Sequence, residues 1–219
     1  MTIERIDRRS PTRRAVRGGT DPEAEMTPRV RAMVAALSGE VEMLRRDLQA
    51  ARDRLELAER AADQDHLLPI LNRRAFVRAL GWHIAGVARY GTPASLLYCD
   101  LDGFKRINDA YGHAAGDAVL AHFAKILSAN VRDSDIVGRI GGDEFGVVLA
   151  HATLAQATKK ATVLTDALTA EAVEWNGTRV AVSFSFGAFE LSASDSAETA
   201  LMRADEAMYA QKRGRPATD

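Results

Sequence analysis

The chain has 219 residues, 47% of them hydrophobic and 27% charged, and its formal net charge is −1. This composition is typical of a soluble globular protein, and the near-neutral charge argues against a dedicated nucleic-acid-binding chain, which usually carries a basic balance. No apolar run approaches the roughly 18 residues that a transmembrane span needs. The single cysteine, Cys99, fits a reducing compartment. We therefore expect a cytoplasmic protein with no transmembrane segment and no nucleic-acid partner.

Residues 1–24 form an arginine-rich segment with few apolar residues. Its six arginines are opposed by only two acids before the pair Gly18-Gly19. This composition predicts a disordered basic tail. One interpretation is a solvated tail, and the other is weak attraction to an anionic membrane surface or an acidic partner.

Residues 25–64 carry a heptad pattern of apolar or small residues, in which steps of four and three residues alternate. The seam consists of Val30, Val34, Leu37, Val41, Leu44, Leu48, Ala51, Leu55, Ala58 and Ala62. Charged residues of both signs lie between them, which suits the flanking positions of a coiled coil. The pattern predicts a dimerisation helix that forms a two-stranded coiled coil. A three-stranded coil, or a single amphipathic helix packed on the globular part, remains an alternative.

From residue 65 to residue 219 the pattern alternates between helix and strand, which predicts one globular domain. The expected elements are a helix over 72–89, a strand over 95–101, a helix over 116–132, a hairpin of strands at 135–140 and 144–149, a helix over 153–170, a long strand over 178–190 and a helix over 197–212. This βαββαβ order predicts an α/β (α+β) fold of the palm or ferredoxin-like kind. We expect a mixed central sheet flanked by helices that lie on one face.

Acidic residues close two of the predicted strands. Asp100 and Asp102 end the first strand, and Asp143 and Glu144 follow the two-glycine turn of the hairpin. Because the first strand lies beside the hairpin in this topology, we expect the two groups to meet at one edge of the sheet. Clustered carboxylates repel each other unless a hard divalent cation neutralises them, and Mg²⁺ with bound phosphates is the commonest case. A solvated hairpin tip is the alternative for the second pair alone.

The segment between the acids offers contacts for a nucleotide. Phe104 and Lys105 begin a turn into a helix, where backbone amides and a positive charge suit phosphate groups. Asn108 and Asp117 are the amide and carboxylate that a guanine edge requires. Both residue types also favour helix caps, and their spacing does not separate the two interpretations.

Several motifs together resemble one known family. Gly141-Gly142-Asp143-Glu144-Phe145, preceded by Arg139-Ile140, is similar to the signature of GGDEF-domain diguanylate cyclases. The other matching segments are Leu71-Asn72-Arg73-Arg74, Asp100-Leu101-Asp102-Gly103-Phe104-Lys105-Arg106-Ile107-Asn108-Asp109, Gly112-His113, Gly116-Asp117, Ser185-Phe186-Gly187 and Ala204-Asp205-Glu206-Ala207-Met208-Tyr209. The resemblance spans about residues 65–215, and it implies that residues 65–219 form a GGDEF catalytic domain.

The resemblance implies an enzyme that condenses two GTP molecules into cyclic di-GMP and pyrophosphate across a homodimer held by the coiled coil. It implies Mg²⁺, with Mn²⁺ as an alternative, bound by Asp100, the carbonyl of Leu101, Asp143 and Glu144. Asp143, Glu144 and Lys105 are the implied catalytic residues, with Asp143 as candidate base. The implied substrate contacts are Phe104, Lys105, Asn108, Asp117, Gly141, Gly142, Lys212 and Arg215.

Arg132-Asp133-Ser134-Asp135 resembles the inhibitory product site of the family, which implies that cyclic di-GMP binds at Arg132 and Asp135. Two segments depart from the family pattern. The Asp-x-Leu-Thr-Gly turn is replaced by Asp65-His66-Leu67-Leu68-Pro69, and the C-terminal motif after Lys212 is one residue short. A catalytically idle GGDEF domain, acting as a cyclic di-GMP receptor or as a scaffold, is the alternative function.

Overall fold

The computed structural model of the protein describes residues 27–214. The chain divides into two compact units, Met1–Glu56 and Leu57–Asp219. The predicted basic tail, residues 1–24, lies outside the described residues, and so does Arg215. Between residues 27 and 214 no helix is both long enough and apolar enough to cross a membrane.

Helix α1 (Pro28–Asp63) contains 36 residues, and most of it belongs to the first unit. Its large apolar side chains at the heptad positions are exposed in the single chain: Val30, Val34, Leu37, Val41, Leu44, Leu48 and Leu55. In the single chain, water contacts this long row of apolar side chains. A partner helix would cover it. Assembly through this row stays a prediction.

The second unit contains the end of α1 and a four-stranded sheet with its helices. Its elements in chain order are α2 (Arg73–Tyr90), β1 (Ala94–Leu101), α3 (Phe104–Tyr111), α4 (His113–Ala129), β2 (Ile136–Arg139), β3 (Glu144–Ala150), α5 (Leu154–Ala170), β4 (Val173–Trp175), β5 (Thr178–Val180), β6 (Phe184–Glu190) and α6 (Ala197–Gly214). The main sheet has the order β2-β3-β1-β6, and β4 pairs only with β5. The predicted fold class is confirmed.

Two details of the predicted sheet are wrong. All neighbouring strands are antiparallel, so the sheet is not mixed. Helices cover both faces rather than one, because β1 alternates between two cores. Leu97 and Cys99 pack into the core that includes α4 and α5, whereas Leu96 and Tyr98 pack into the core that includes α2 and α6. Burial on both faces explains why β1 reads as a continuous apolar run.

The long strand predicted over 178–190 is also wrong, since the structure divides this segment. Val173–Trp175 and Thr178–Val180 form a separate hairpin, and only Phe184–Glu190 joins the main sheet. Asn176 and Gly177 both have positive φ, 47° and 78°, which is the backbone that a two-residue Asn-Gly hairpin turn requires. In addition, α4 begins at His113 instead of residue 116, after Gly112 (φ 86°) has ended α3.

The last turn of α1 is held against α2 by polar contacts within the second unit. Asn72 caps α2 by accepting a hydrogen bond from the Ala75 N–H. Its side-chain amide also donates to the carbonyl of Ala62 at 2.7 Å. Asp63 forms ion pairs with Arg74 and Arg78. The cap and the ion pairs therefore fix where the helix ends on the domain.

Close packing of α6 on β6 depends on Gly187. A Cβ atom at this position would overlap the backbone carbonyl oxygen of Ala204 and the backbone nitrogen of Met208 on α6. Both obstacles belong to the backbone, so they cannot turn away as a flexible side chain would. The absence of a side chain therefore lets α6 lie directly on the sheet.

We predict that Gly187→Ala lowers the free energy of unfolding by about 1–3 kcal/mol or more, because α6 must move off the sheet. Gly86→Ala is the matched control. Gly86 lies inside α2 with open space where a Cβ would project, so alanine there should stabilise by about 0.5–1 kcal/mol. Urea unfolding of both variants gives the comparison. Equal stability of Gly187→Ala and wild type would contradict the packing argument.

Candidate active site

The two predicted acidic groups meet where β1 ends and β3 begins. Asp100 lies opposite Glu144 in the antiparallel register. One residue further, the N–H of Leu101 donates to the carbonyl oxygen of Asp143 at 3.2 Å. The structure therefore brings Asp100, Asp143 and Glu144 together at one end of these two neighbouring strands, next to the hairpin turn. We call these three residues the acidic edge.

The surroundings of Asp143 change the pKa of its carboxyl group. Burial raises the pKa of its carboxyl above the ordinary aspartate value, and the negative charge of Asp100 raises it further. A backbone hydrogen bond and the positive charges of Lys212 and Arg139 oppose the rise in this pKa without cancelling it. A carboxylate with a raised pKa accepts a proton more readily than an ordinary aspartate does.

Lys212 supplies a cation to this cluster. Its ammonium Nζ lies 2.5 Å from Oδ1 of Asp100, and the two side chains are 31% and 19% exposed. Among the residues that the structure describes, no three carboxylate, imidazole or thiol side chains stand ready to hold a metal ion. The donor chemistry nevertheless fits Mg²⁺ or Mn²⁺, because two acids of like charge face each other with oxygen ligands that hard cations prefer. A metal there would need Asp100 released from the ammonium.

Asp102 is separated from this cluster by its own contacts. Its carboxylate accepts hydrogen bonds from Ser185 Oγ at 2.7 Å and from Ser183 Oγ at 3.0 Å. Its backbone N–H donates to the Ser183 carbonyl at 2.9 Å. Asp102 therefore ties the end of β1 to the start of β6, which is a structural role.

Arg139 binds the backbone of the glycine turn. Its guanidinium donates to the carbonyl of Gly142 at 2.7 Å, to that of Gly141 at 3.1 Å, and to Oδ1 of Asp65 at 3.2 Å. Asp65 also accepts hydrogen bonds from the backbone N–H groups of Leu67 and Leu68, at 3.0 and 3.1 Å. The turn Asp65-His66-Leu67-Leu68-Pro69 departs from the family pattern, but the hydrogen bonds of Asp65 still hold it together and link it to Arg139. Sequence reasoning gave neither Arg139 nor Asp65 a role of its own.

Glu144 is positioned by a glycine and a tyrosine. A Cβ atom at Gly141 would overlap the Glu144 carboxylate in its present position, so a larger residue there would make this side chain turn away. Tyr98 lies near Glu144, and burial together with the interaction with this carboxylate raises the pKa of Tyr98. Sequence reasoning missed Tyr98, because an aromatic residue in an apolar strand gives no sign of its polar contact.

Lys105 and Phe104 begin α3, directly after the acidic strand end. The residue before them, Gly103, has φ 69° and provides no side-chain cap. Lys105 is exposed. The first turn of α3 therefore presents its backbone amides and one cation beside the end of β1, as phosphate binding requires.

The helix-capping interpretation of Asn108 and Asp117 is wrong. Asn108 lies inside α3 and Asp117 lies inside α4, whose N-cap is Gly112. Within residues 27–214, Oδ1 of Asn108 is buried without a hydrogen-bond partner. It lies where a Cβ of Gly116 would project, whereas Asp117 is exposed. A buried carbonyl oxygen without a donor is costly, which favours a ligand that supplies the missing hydrogen bond.

Asp135 organises the turn that resembles a product site. Its Oδ2 accepts a hydrogen bond from the backbone N–H of Arg132 at 2.9 Å, and its Oδ1 accepts one from Ala150 at 3.0 Å. A pocket of about 170 Å³ lies beside the turn, and Lys160 is among its lining residues. The Asp135 carboxylate is therefore engaged within the protein, while the Arg132 side chain lines the pocket.

The βαββαβ domain and the acidic edge define a class of protein, and comparison with known proteins gives the same class. The model of the diguanylate cyclase GGDEF domain matches residues 62–216. Diguanylate cyclase DosC of Escherichia coli is 37% identical over 162 residues, which cover 73% of this chain and 35% of that protein. Diguanylate cyclase DgcP of Pseudomonas aeruginosa is 32% identical over 191 residues, which cover 87% of this chain and 28% of that protein.

Solved structures agree with this result. Diguanylate cyclase SiaD of Pseudomonas aeruginosa, in complex with its activator SiaC, has a TM-score of 0.73 at 28% identity, covering 85% of this chain and 72% of that one. The coiled coil and GGDEF domain of DgcB from Caulobacter crescentus, in complex with c-di-GMP, has a TM-score of 0.70 at 28% identity, covering 84% and 95%. The chain belongs to the GGDEF-domain diguanylate cyclase family. It spans about a third of the length of the curated relatives described above.

We predict that Asp143→Asn raises the melting temperature of the metal-free protein at pH 7 by a few degrees. The raised pKa of Asp143 means that its ionised form costs stability above that pKa. The gain should shrink as the pH falls through the raised pKa toward the ordinary aspartate range of about 4, where wild type is also protonated. Asp166→Asn, at an exposed position on α5, makes the same charge change away from the cluster. Melting curves in chelator across pH give the comparison, and a lower melting temperature for Asp143→Asn would contradict it.

Proposed function

We propose that the protein is a cytoplasmic diguanylate cyclase that condenses two GTP molecules into cyclic di-GMP with release of pyrophosphate. The observation that carries this proposal is the register of β1 and β3, which sets Asp100 against Glu144 and beside Asp143. Family membership supports the same reaction. The proposed nucleotide contacts are the first turn of α3 and the side-chain amide of Asn108.

In this proposal each side chain has a definite task. Asp100, Asp143, Glu144 and the Leu101 carbonyl would hold Mg²⁺ or Mn²⁺, which would supply positive charge to neutralise the attacking and leaving oxygens. The Asp143 carboxylate would accept the proton of the attacking 3′-hydroxyl as a general base.

The substrate contacts hold the two ends of the nucleotide. Lys105 and Lys212 bind the triphosphate, and Asn108 with Asp117 reads the guanine edge. Arg215 is a further proposed phosphate contact, and Gly141 and Gly142 let the nucleotide approach the turn backbone closely.

The reaction joins two nucleotides, and one domain offers one nucleotide site, so we propose that two chains act together. The exposed apolar row on α1 supports pairing through a coiled coil. Such a tether raises the effective concentration of one site for the other to the order of millimolar.

We predict that the purified protein converts GTP into cyclic di-GMP and pyrophosphate in the presence of Mg²⁺. The rate per chain should rise with protein concentration, because two chains must meet. Asp143→Ala should lower turnover by about two orders of magnitude or more while leaving the fold intact. Asp166→Ala is the matched control and should keep wild-type turnover. A wild-type protein that binds GTP at every concentration without turning it over would contradict the proposal. Binding of cyclic di-GMP by such a protein would identify the alternative, an idle receptor domain.

We further propose that cyclic di-GMP inhibits the enzyme at Arg132 and Asp135. The prediction is that Arg132→Ala raises the product level at steady state several-fold, because only the guanidinium is lost. The backbone N–H of Arg132, which holds Asp135, is kept by alanine. Arg179→Ala, at an exposed position on β5, is the charge-matched control. Product progress curves measure the effect, and identical curves for Arg132→Ala and wild type would argue against the site.

A further inference from the structure

Lys212 balances the charge of two carboxylates at the acidic edge. Its Nζ contacts Oδ1 of Asp100 at 2.5 Å across 112 residues of sequence. The same ammonium lowers the pKa of Asp143, against the effect of Asp100. Without nucleotide, Lys212 is the cation in direct contact with Asp100, and Arg139 adds a second positive charge near Asp143.

The position of Lys212 follows from how α6 lies on β6. Gly187 permits close packing of the two elements, and the Gln211 side chain accepts a hydrogen bond from the Phe186 N–H at 3.2 Å. Ser185, the residue before Phe186, is paired with Asp100 on β1. The last turn of α6 is therefore fixed beside Asp100. From this position the side chain of Lys212 reaches the Asp100 carboxylate.

The other cation of this turn points elsewhere. The guanidinium of Arg213 lies 5.2 Å from the ring centre of Tyr209, one turn back on α6. Lys212 is therefore the cation that this helix end gives to the acidic edge. The helix dipole also favours a lysine near a helix C terminus, so the positive charge of Lys212 is stabilised in the nucleotide-free protein.

We propose that Lys212 occupies the place of the metal on Asp100 in the nucleotide-free protein and moves to the triphosphate when GTP binds. This inference rests on the function proposed above, and it adds a coupling between metal and nucleotide. The ammonium and a divalent cation compete for the same carboxylate oxygen. A triphosphate offers the ammonium another anionic partner, so metal and nucleotide should each strengthen the binding of the other by the same factor.

Lys212→Met should change the two affinities in opposite directions. Without the ammonium, Asp100 loses its direct cationic partner and the two like charges are less compensated, so Mn²⁺ alone should bind about threefold tighter or more. The GTP analogue should bind less tightly, because a phosphate contact is lost. The factor by which the analogue strengthens Mn²⁺ binding should fall toward that of an uncoupled site.

The experiment measures Mn²⁺ binding to the full chain by the electron paramagnetic resonance signal of free Mn²⁺, with and without guanosine 5′-(α,β-methylene)triphosphate. Analogue affinity is measured by calorimetry on the same samples. Lys159→Met is the charge-matched control on α5, where the side chain is exposed, and it should behave as wild type. Lys212→Arg restores a cation and should return Mn²⁺ binding toward wild type. Melting curves verify that each variant is folded.

Unchanged or weaker binding of Mn²⁺ alone to Lys212→Met would overturn the inference, and so would the absence of Mn²⁺ binding from wild type and variant alike. The GTP turnover assay decides the proposed function separately. An active wild type whose Lys212→Met variant shows no gain in Mn²⁺ affinity would refute the exchange of partners and leave the cyclase reaction standing. An inactive wild type would refute the cyclase reaction itself.

Discussion

Two carboxylates are held side by side by the pairing of β1 with β3, and the rest of the site follows from this constraint. Asp100 and Asp143 would separate in a flexible chain, since their negative charges repel. In the sheet they cannot, because the backbone register fixes both. Burial raises the pKa of Asp143, and the negative charge of Asp100 raises it further. The proximity of the two acids makes this edge of the sheet a place where a cation is stabilised and where one carboxylate accepts protons readily.

The framework that maintains this arrangement is remote from the acids in sequence. Arg139 ties the glycine turn to Asp65, so the segment joining α1 to the domain contacts the floor of the site directly. From the other side, α6 lies on β6 across Gly187 and carries Lys212 to Asp100. A change at the end of α1 would therefore reach the carboxylates through Asp65 and Arg139, and a change in α6 would reach them through Lys212. Such connections give the end of α1 a physical route to the carboxylates.

The fold class and the meeting of the acids were predictable because they depend on local pattern. The two-glycine turn predicts the hairpin, and the βαββαβ order places β1 beside it, which brings Asp100 to Glu144. The contact of Lys212 with Asp100 was not predictable, because a long side chain on the last helix can take many directions. The alternating pattern of residues 178–190 predicts one strand, whereas the Asn176-Gly177 turn pairs Thr178–Val180 with Val173–Trp175 and leaves only Phe184–Glu190 to the main sheet. Sheet direction and helix placement were misjudged, since periodicity does not report which face of a strand is covered.

The central claim is that Asp100 and Asp143 hold a divalent cation against a nucleoside triphosphate. Crystals grown with Mn²⁺ and a non-hydrolysable GTP analogue test it through the anomalous signal of manganese, which locates the metal independently of the surrounding density. We expect a manganese peak within coordination distance, about 2.0–2.2 Å, of carboxylate oxygens from both aspartates, with analogue phosphates completing the shell. A bound analogue whose manganese lies away from Asp100 and Asp143, or that binds without manganese, would contradict it.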